Sequence, residues 1–422
     1  MTALLILIFC IGYSLIAIEE WSKINKTAIA LITGVLCWVI YTGIASTQVA
    51  MPALTHHLSG ISEILFFLLG AMTIVELIDA HDGFDVITSQ IKTLHKVKLI
   101  WMVSLITFFL SALLDNLTSA IVMVSLVRKL MSDTSDRRYF AGMVIIAANA
   151  GGAWSPIGDI TTTMLWIGGQ ISAQNCMLKL FLPSLFCLLT PLIYLSFRLK
   201  GNVQTPNKSI QNESLQTKVW ERNLVFYLAL MLLLFVPVFK TLSGMPPYMG
   251  ILLALSVVWI LVEIVHRKKE SEYKVQYSVA RALQRIDVPS ILFFLGILLA
   301  VSSLEAADVL SNFAETIDTR IQSHAMIGIL IGLLSAVVDN VPLVAAVMGM
   351  YDFPMDHFFW EFLAYCSGTG GSILIIGSAA GVAAMGIEKI EFVWYLKNIG
   401  GLALLGFLSG AAVYLFFQST IY

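Results

Sequence analysis

The sequence predicts an all-α integral membrane protein built as two inverted-topology repeats, with about ten transmembrane helices, two re-entrant hairpins and two broken helices. Three observations carry this. The chain is 58% hydrophobic and only 12% charged, with a mean hydropathy of +0.86, whereas a soluble domain carries about twice that charged fraction. Its apolar residues gather into runs of about 20, the length that crosses a bilayer. Both halves then interrupt those runs with the same polar signals in the same order, Asp115-Asn116 then Gly151-Gly152, and Asp339-Asn340 then Gly370-Gly371. With 25 Lys+Arg against 27 Asp+Glu, the net charge of −2 leaves no basic excess for a nucleic acid. The five cysteines (Cys10, Cys37, Cys176, Cys187, Cys366) lack CxxC spacing, so neither a zinc site nor a disulfide framework is expected.

Along the chain the apolar runs lie near 3–18, 27–46, 61–79, 99–127, 139–169, 179–198, 223–240, 248–265, 289–305, 325–350, 358–387 and 393–417. The first has no basic start and no small-residue cleavage site, which points to a retained helix rather than a signal peptide. Run 99–127 lies between Lys92, Lys96, Lys98 and Arg128, Lys129, Arg137, Arg138. If it crossed, one basic cluster would face outside, against the tendency of such residues to stay cytoplasmic. It is therefore expected to enter and leave on the inner face, with polar Asp115-Asn116-Leu117-Thr118 at its tip. Run 325–350 has the same design but sits between Glu305, Asp308, Glu315, Asp318 and Asp352, Asp356, so this hairpin is expected to enter from outside.

The remaining runs cross, and the basic residues sort. Lys179, Lys240 and Arg320 fall near the outer face. Arg198, Lys200, Lys208, Lys218, Arg222, Arg267, Lys268, Lys269, Lys274, Arg281 and Arg285 fall in two inner loops. Both termini are then expected outside. Residues 1–200 form the first repeat (hairpin 99–127, broken helix 139–169), 201–222 a cytoplasmic linker, and 223–422 the second repeat (hairpin 325–350, broken helix 358–387). Matched segments support the duplication: Glu63-ILFFL with Ser290-ILFFL, Ser111-ALLDN with Ser335-AVVDN, and Gly-Gly, five residues, Gly, then Asp159 or Ser378. An odd number of crossings per repeat inverts the second copy, the architecture of carriers that alternate between two faces. Glycine pairs also serve plain helix packing. Here Asn149, Pro156 and Asp159 in one half, and Thr369 and Ser372 in the other, point instead to unwound helices facing a cavity.

Asp115, Asp159 and Asp339 lie deep in apolar segments, where an ionisable residue is functional by default. No lysine or arginine lies inside these segments, so their charge is expected to be balanced by something that comes and goes. Carboxylates, the amides of Asn116, Asn149 and Asn340, and the hydroxyls of Thr118, Thr369, Ser372 and Ser378 are hard oxygen donors, suited to Na+, Li+ or H+. Asp115, Asn116, Asp159, Asp339 and Asn340 are the expected cation ligands. A proton and a sodium ion compete for buried carboxylate oxygens, and competition alone gives antiport if the protein rearranges only when the site is filled. Glu76 and Asp79 are candidates for an ion entrance or pH sensor at a solvated helix end. Glu63, Glu263 and Glu361 are expected at headgroup level, His56 and His57 in an outer loop, and 271–287 along the inner surface.

At LLDNLTSAIVM, ANAGGAWSPIGDITTTMLW, SAVVDNVPLVAAVMGMY, SGTGGSILIIGSAAGVAAMG and LLGAMTIVELIDAHDGF, the sequence resembles the NhaD-type sodium/proton antiporters of the ion transporter superfamily, from about residue 19 to the C-terminus. The resemblance implies Na+ (or Li+) exchange for H+ in a bacterial inner membrane. It also implies a homodimer in which a transport domain of hairpins and broken helices moves, elevator-like, against a scaffold, embedded in lipid with no cofactor and no soluble partner. Related carboxylate carriers present Ser-Asn-Thr at the hairpin tips. Here the tips are Asp-Asn-Leu-Thr and Asp-Asn-Val-Pro, which would repel a dianion. The mismatches Asp159/Ser378 and Thr118/Pro342 imply unequal half-sites. A sodium-coupled dicarboxylate or citrate carrier, an intramembrane aspartyl enzyme and a channel are the alternatives.

Overall fold

In lipid, backbone polar groups must be satisfied within the chain, and the apolar runs accordingly become helices. The computed structural model describes residues 2–17, 24–89, 91, 93–204, 218–267, 269 and 276–420. Lys92, Lys208, Lys268 and Lys274, most of the expected linker and the start of 271–287 lie outside the described residues. The helices are α1 (Thr2–Ala17), α2 (Lys26–Ala45), α3 (Thr47–Ala80), α4 (Lys96–Leu113), α5 (Asn116–Leu130), α6 (Thr134–Ala153), α7 (Ile160–Ile167), α8 (Ala173–Arg198) and α9 (Val219–Ser243). They continue as α10 (Pro247–His266), α11 (Val279–Arg285), α12 (Val288–Ala306), α13 (Val309–Arg320), α14 (His324–Ser335), α15 (Asn340–Met350), α16 (Phe358–Gly370), α17 (Ala379–Glu388) and α18 (Phe392–Thr420). Among the described residues, eight helices are long and apolar enough to cross a membrane: α2, α3, α4, α8, α9, α10, α12 and α18.

Helices α4 and α5 are joined at Leu114-Asp115, and α14 and α15 across 336–339. The chain leaves the helix over 154–159 between α6 and α7 and over 371–378 between α16 and α17. Two stretches differ from expectation. Residues 47–60, with His56 and His57, are not a loop but the start of the 34-residue α3. At 1.5 Å per residue that helix is about 50 Å long and outruns a hydrocarbon core of about 30 Å. Its first turns carry Gln, Thr, His and Ser residues, a composition that reads as loop. The acidic stretch 309–320 is likewise helical, with apolar Leu310 and Ala314 buried on one side.

The helices pack into two bundles, each drawing on both halves of the chain. One contains α1, α2, α3, α9, α10 and α12; the other contains α4 to α8, α14 and α16 to α18, while α15 packs against α12 and α13 on one side and α7, α14 and α16 on the other. Close backbone approach holds each. In the first, a Cβ on Gly34 would stand 2.6 Å from Gly296 O, and Trp38 Nε1 donates to Leu299 O at 2.8 Å; small residues at such crossings let helices associate in lipid. In the second, α6 from Phe140 to Ala153 and α16 from Phe359 to Gly370 are buried on every side, as expected of central helices. A cavity of about 330 Å³ separates the bundles, lined by His57, Glu63 and Glu305 of the first, Met164 and Gly168 of the second, and Met348 of α15.

Glu361, near the start of α16, is enclosed by protein. It is fully buried, accepting from Lys179 Nζ at 2.8 Å and from the Tyr414 hydroxyl at 2.8 Å, so that α16 is fastened to α8 and α18. Removing one partner of a buried pair strands the other's charge. Lys179→Met is expected to lower stability by about 3 kcal/mol, read as a fall in the thermal midpoint of the detergent-solubilised protein. An unchanged midpoint would show the pair to be dispensable.

Candidate functional site

Each hairpin tip and each break ends by starting a new helix, and a helix start leaves backbone N–H groups unsatisfied. Asp and Ser are preferred caps for these donors, and here they occupy all four starts. Asp115 Oδ1 accepts from Thr118 N at 2.7 Å, and Oδ2 from the Thr118 hydroxyl at 2.8 Å, at the start of α5. Asp159 Oδ1 accepts from Thr161 N at 3.3 Å at α7. Asp339 Oδ1 accepts from Val341 N at 3.2 Å at α15, and Ser378 Oγ from Gly381 N at 3.2 Å at α17.

The polar side chains beside these caps join across the halves. Asn116 Nδ2 donates to Asn149 Oδ1 at 3.1 Å, and Asn149 Nδ2 donates to Ser378 Oγ at 2.9 Å. Asn340 Nδ2 approaches Asp159 Oδ2 at 3.5 Å. Asn149 and Asp159 are almost completely shielded, at 0% and 2% exposure, while Asp115 and Asp339 are half-buried. Asp115 and Asp339 both act electrostatically on Asp159. Packing is matched as well. Ser111 Oγ donates to Ala148 O at 2.6 Å and Ser335 Oγ to Ser367 O at 2.8 Å, each fastening a hairpin arm to its broken helix.

The structure thus places Asp115, Asn116, Thr118, Asp159, Asn340, Ser378 and Asp339 at the four helix starts, with Asn149, near the end of α6, hydrogen-bonded to two of them. Thr369 and Ser372 are at the α16 break, with their hydroxyl hydrogens donated to Tyr365 O and Thr369 O, each at 2.6 Å. Glu76 and Asp79 share no hydrogen bond with this group: Glu76 accepts from Arg285 of α11 at 3.4 Å, and Asp79 is exposed. Among the described residues, no three His, Cys, Asp or Glu side chains cluster closely enough to hold a metal ion together. Amide, hydroxyl and carbonyl oxygens stand beside the carboxylates, and these are hard donors of the kind that suit an alkali ion.

Two findings depart from the sequence reading. Asp339 has a basic neighbour, for Lys26 Nζ, from the start of α2 in the first bundle, lies 3.5 Å from its Oδ2. The expectation of aspartates without a fixed counter-charge therefore fails at this residue. No local signal announces the pair, because 313 residues separate its members. The half-sites are also unequal in a way that the Asp159/Ser378 mismatch only begins to describe. Gly368 stands where Asn149 stands in the other half, and a Cβ there would come 3.1 Å from Asp159 Oδ2. Further polar groups were passed over: Ser119, Thr161 and Thr162 are fully buried, and their hydroxyls find no protein partner among the described residues. The run Asp159-Ile-Thr-Thr-Thr was the visible signal for two of them.

The known proteins that this chain is similar to are transporters. The citrate-transporter family profile matches residues 13–360. The chain is 51% identical to sodium/proton antiporter 1 of Arabidopsis thaliana over 97% of its own length and 71% of the relative's. It is 47% identical to sodium/proton antiporter 2 of the same plant, over 97% of this chain and 98% of that one. With the Na+/H+ antiporter NhaD of Vibrio cholerae it shares 34% identity over 93% and 87% of the two chains. These are membrane transporters and not enzymes, which removes the aspartyl-enzyme alternative. These matches over nearly the whole chain show that this multi-pass membrane protein belongs to the citrate-transporter family and, within it, to the NhaD-type sodium/proton antiporters.

Proposed function

We propose that this chain exchanges Na+ or Li+ for H+ across its membrane by alternating access, with cation and proton competing for Asp159 and the carboxylates beside it. The observation that carries this is the set of caps at the four helix starts. A helix N-terminus carries a partial positive charge and suits an anion, so four of them meeting is what a citrate carrier needs. Here the protein's own Asp115, Asp159 and Asp339 fill three of the four. An incoming dianion would meet fixed carboxylates at the places it would otherwise occupy, whereas a small cation meets their oxygens. The names of the relatives, sodium/proton antiporters of a plant and of bacteria, support the same reading.

Exchange then needs no further chemistry. Asp159 is shielded from water, and a bare carboxylate in an apolar setting is costly. A proton or an alkali ion removes that cost, and the two exclude one another at the same oxygens. Movement of the hairpin-bearing bundle in either filled state, and not in the empty one, carries one ion out and the other in. The matched hairpins, breaks and serine bonds support two inverted repeats, 1–200 and 223–422, as the basis of the motion. The bacterial inner membrane and the homodimer follow from the resemblance; the bacterial NhaD relatives favour that location, and the Arabidopsis relatives make a plant membrane its rival.

The test is dissipation of an imposed pH gradient in inverted vesicles holding the protein. NaCl and LiCl are expected to collapse the gradient while KCl, succinate and citrate do not. Uptake of labelled citrate under a sodium gradient, without cation-dependent proton movement, would establish the carboxylate carrier instead.

A further inference from the structure

We infer that Lys26 is the resident counter-cation of Asp339 and that the transported cation loads by displacing it. The inference rests on the exchange function proposed above and adds a residue from the first bundle to its site. Of the three aspartates, Asp115 has both oxygens engaged by Thr118, and Asp159 has one on the Thr161 backbone and the other facing Asn340. Asp339 uses Oδ1 to cap α15 and turns Oδ2 toward the Lys26 ammonium at 3.5 Å. Among the described residues, Lys26 therefore meets a cap oxygen, Asp339 Oδ2, that no hairpin or broken-helix group engages.

The pair is built to exchange. Its side chains are 35% and 27% exposed, so an ion can reach them and the attraction is only partly screened. The ammonium also lies 4.7 Å from the centroid of the Phe293 ring on α12. An aromatic face attracts a cation, and the flexible lysine stem can settle there when Oδ2 is taken. Displacement replaces one positive charge by another and leaves the charge at Asp339 unchanged. Asp339 caps α15, which packs between α12 and the helices of the second bundle, so the pair ties the start of α2 to the tip of this intervening hairpin arm. An unloaded site stays tied, and a loaded one is released. Lys240 of the first bundle reaches across differently, donating to Trp166 O at the end of α7 at 3.1 Å. A neutral carbonyl gives an alkali ion no comparable contest.

The experiment uses the full-length protein in proteoliposomes at fixed pH, with the initial rate of Na+-driven proton movement measured against Na+ concentration. K26Q removes the competitor and is expected to lower the KM for Na+ by about fivefold, the limit of what a partly exposed pair contributes. K26R, whose planar fork holds a carboxylate more firmly, is expected to raise it. K240Q is expected not to lower it. A lysine that merely braces the fold would reduce yield or maximal rate at constant KM. Unchanged KM in both K26Q and K26R, with exchange intact in the unsubstituted protein, overturns the inference alone. Absence of exchange in the unsubstituted protein overturns the exchange function and the inference with it. If K26Q does not fold, an unchanged KM in K26R is sufficient to reject the inference.

Discussion

Asp159→Asn is expected to reduce Na+-dependent proton exchange at least about a hundredfold while the protein still folds and inserts. The local structure should survive, because asparagine caps a helix start about as well as aspartate and the Oδ1 bond to Thr161 N can persist. What disappears is the charge. A unit charge about 4 Å from a bound cation is worth about 4 kcal/mol at an effective dielectric of 20, nearly three powers of ten in affinity. The same substitution removes the oxygen that would carry the proton, so neither filled state is available. Asp159 is also the acid against which Asn340 and Gly368 converge, which is why it is chosen over the half-buried Asp115. Vesicles holding normal amounts of the variant and exchanging at the unsubstituted rate would refute its role.

The second large effect concerns shape rather than charge. Gly370→Ala is expected to leave little folded protein. A Cβ at this position would lie 2.0 Å from Gly332 O, 2.7 Å from its carbonyl carbon and 3.0 Å from its Cα, all backbone atoms of α14. No side chain can turn aside to make room, so the hairpin arm must lift from α16, taking with it the Ser335 bond to Ser367 O. Overpacking a well-filled core costs about 1–3 kcal/mol, occasionally more, and with backbone on both sides the upper end or beyond applies. Gly386→Ala provides the control, since nothing lies within 4 Å of a Cβ there. Size-exclusion profiles and thermal midpoints should separate the two variants. A monodisperse Gly370→Ala protein with an unshifted midpoint would mean that α14 and α16 are not held at this distance.

The hairpins and breaks were legible because lipid makes polar residues conspicuous. Asp115-Asn116 and Asp339-Asn340 stand out in apolar runs, and the glycines at 151–152 and 370–371 mark the points where α6 and α16 end. Residues 47–60 were illegible for the converse reason: polar helix and loop have similar compositions, and the helix continues past Gly60 without a break. Three of the four caps were present in the sequence as aspartates, yet which backbone N–H each oxygen takes, and what its second oxygen meets, is a property of the folded turn. The ion pairs were hidden by distance along the chain. Lys179 finds Glu361 and Lys26 finds Asp339 across 182 and 313 residues; charge counting assigned Lys179 to a face without giving it a partner and did not place Lys26.

The seam between α2 and α12 also bears on the order of assembly. Gly34 closes on Gly296, Trp38 donates to Leu299 O and the Thr27 hydroxyl donates to Pro289 O, all across more than 250 residues. The mate of α2 has not been made when α2 enters the bilayer. Each bundle takes helices from both halves of the chain, so neither can close while only the first half has been synthesised. The early helices must wait in lipid with their glycine faces uncovered until the later ones arrive. Such non-local closure makes folding slow and leaves incomplete forms exposed. Any device that holds α2 apart from unsuitable neighbours during that interval contributes to the yield of working protein without contributing to its final stability.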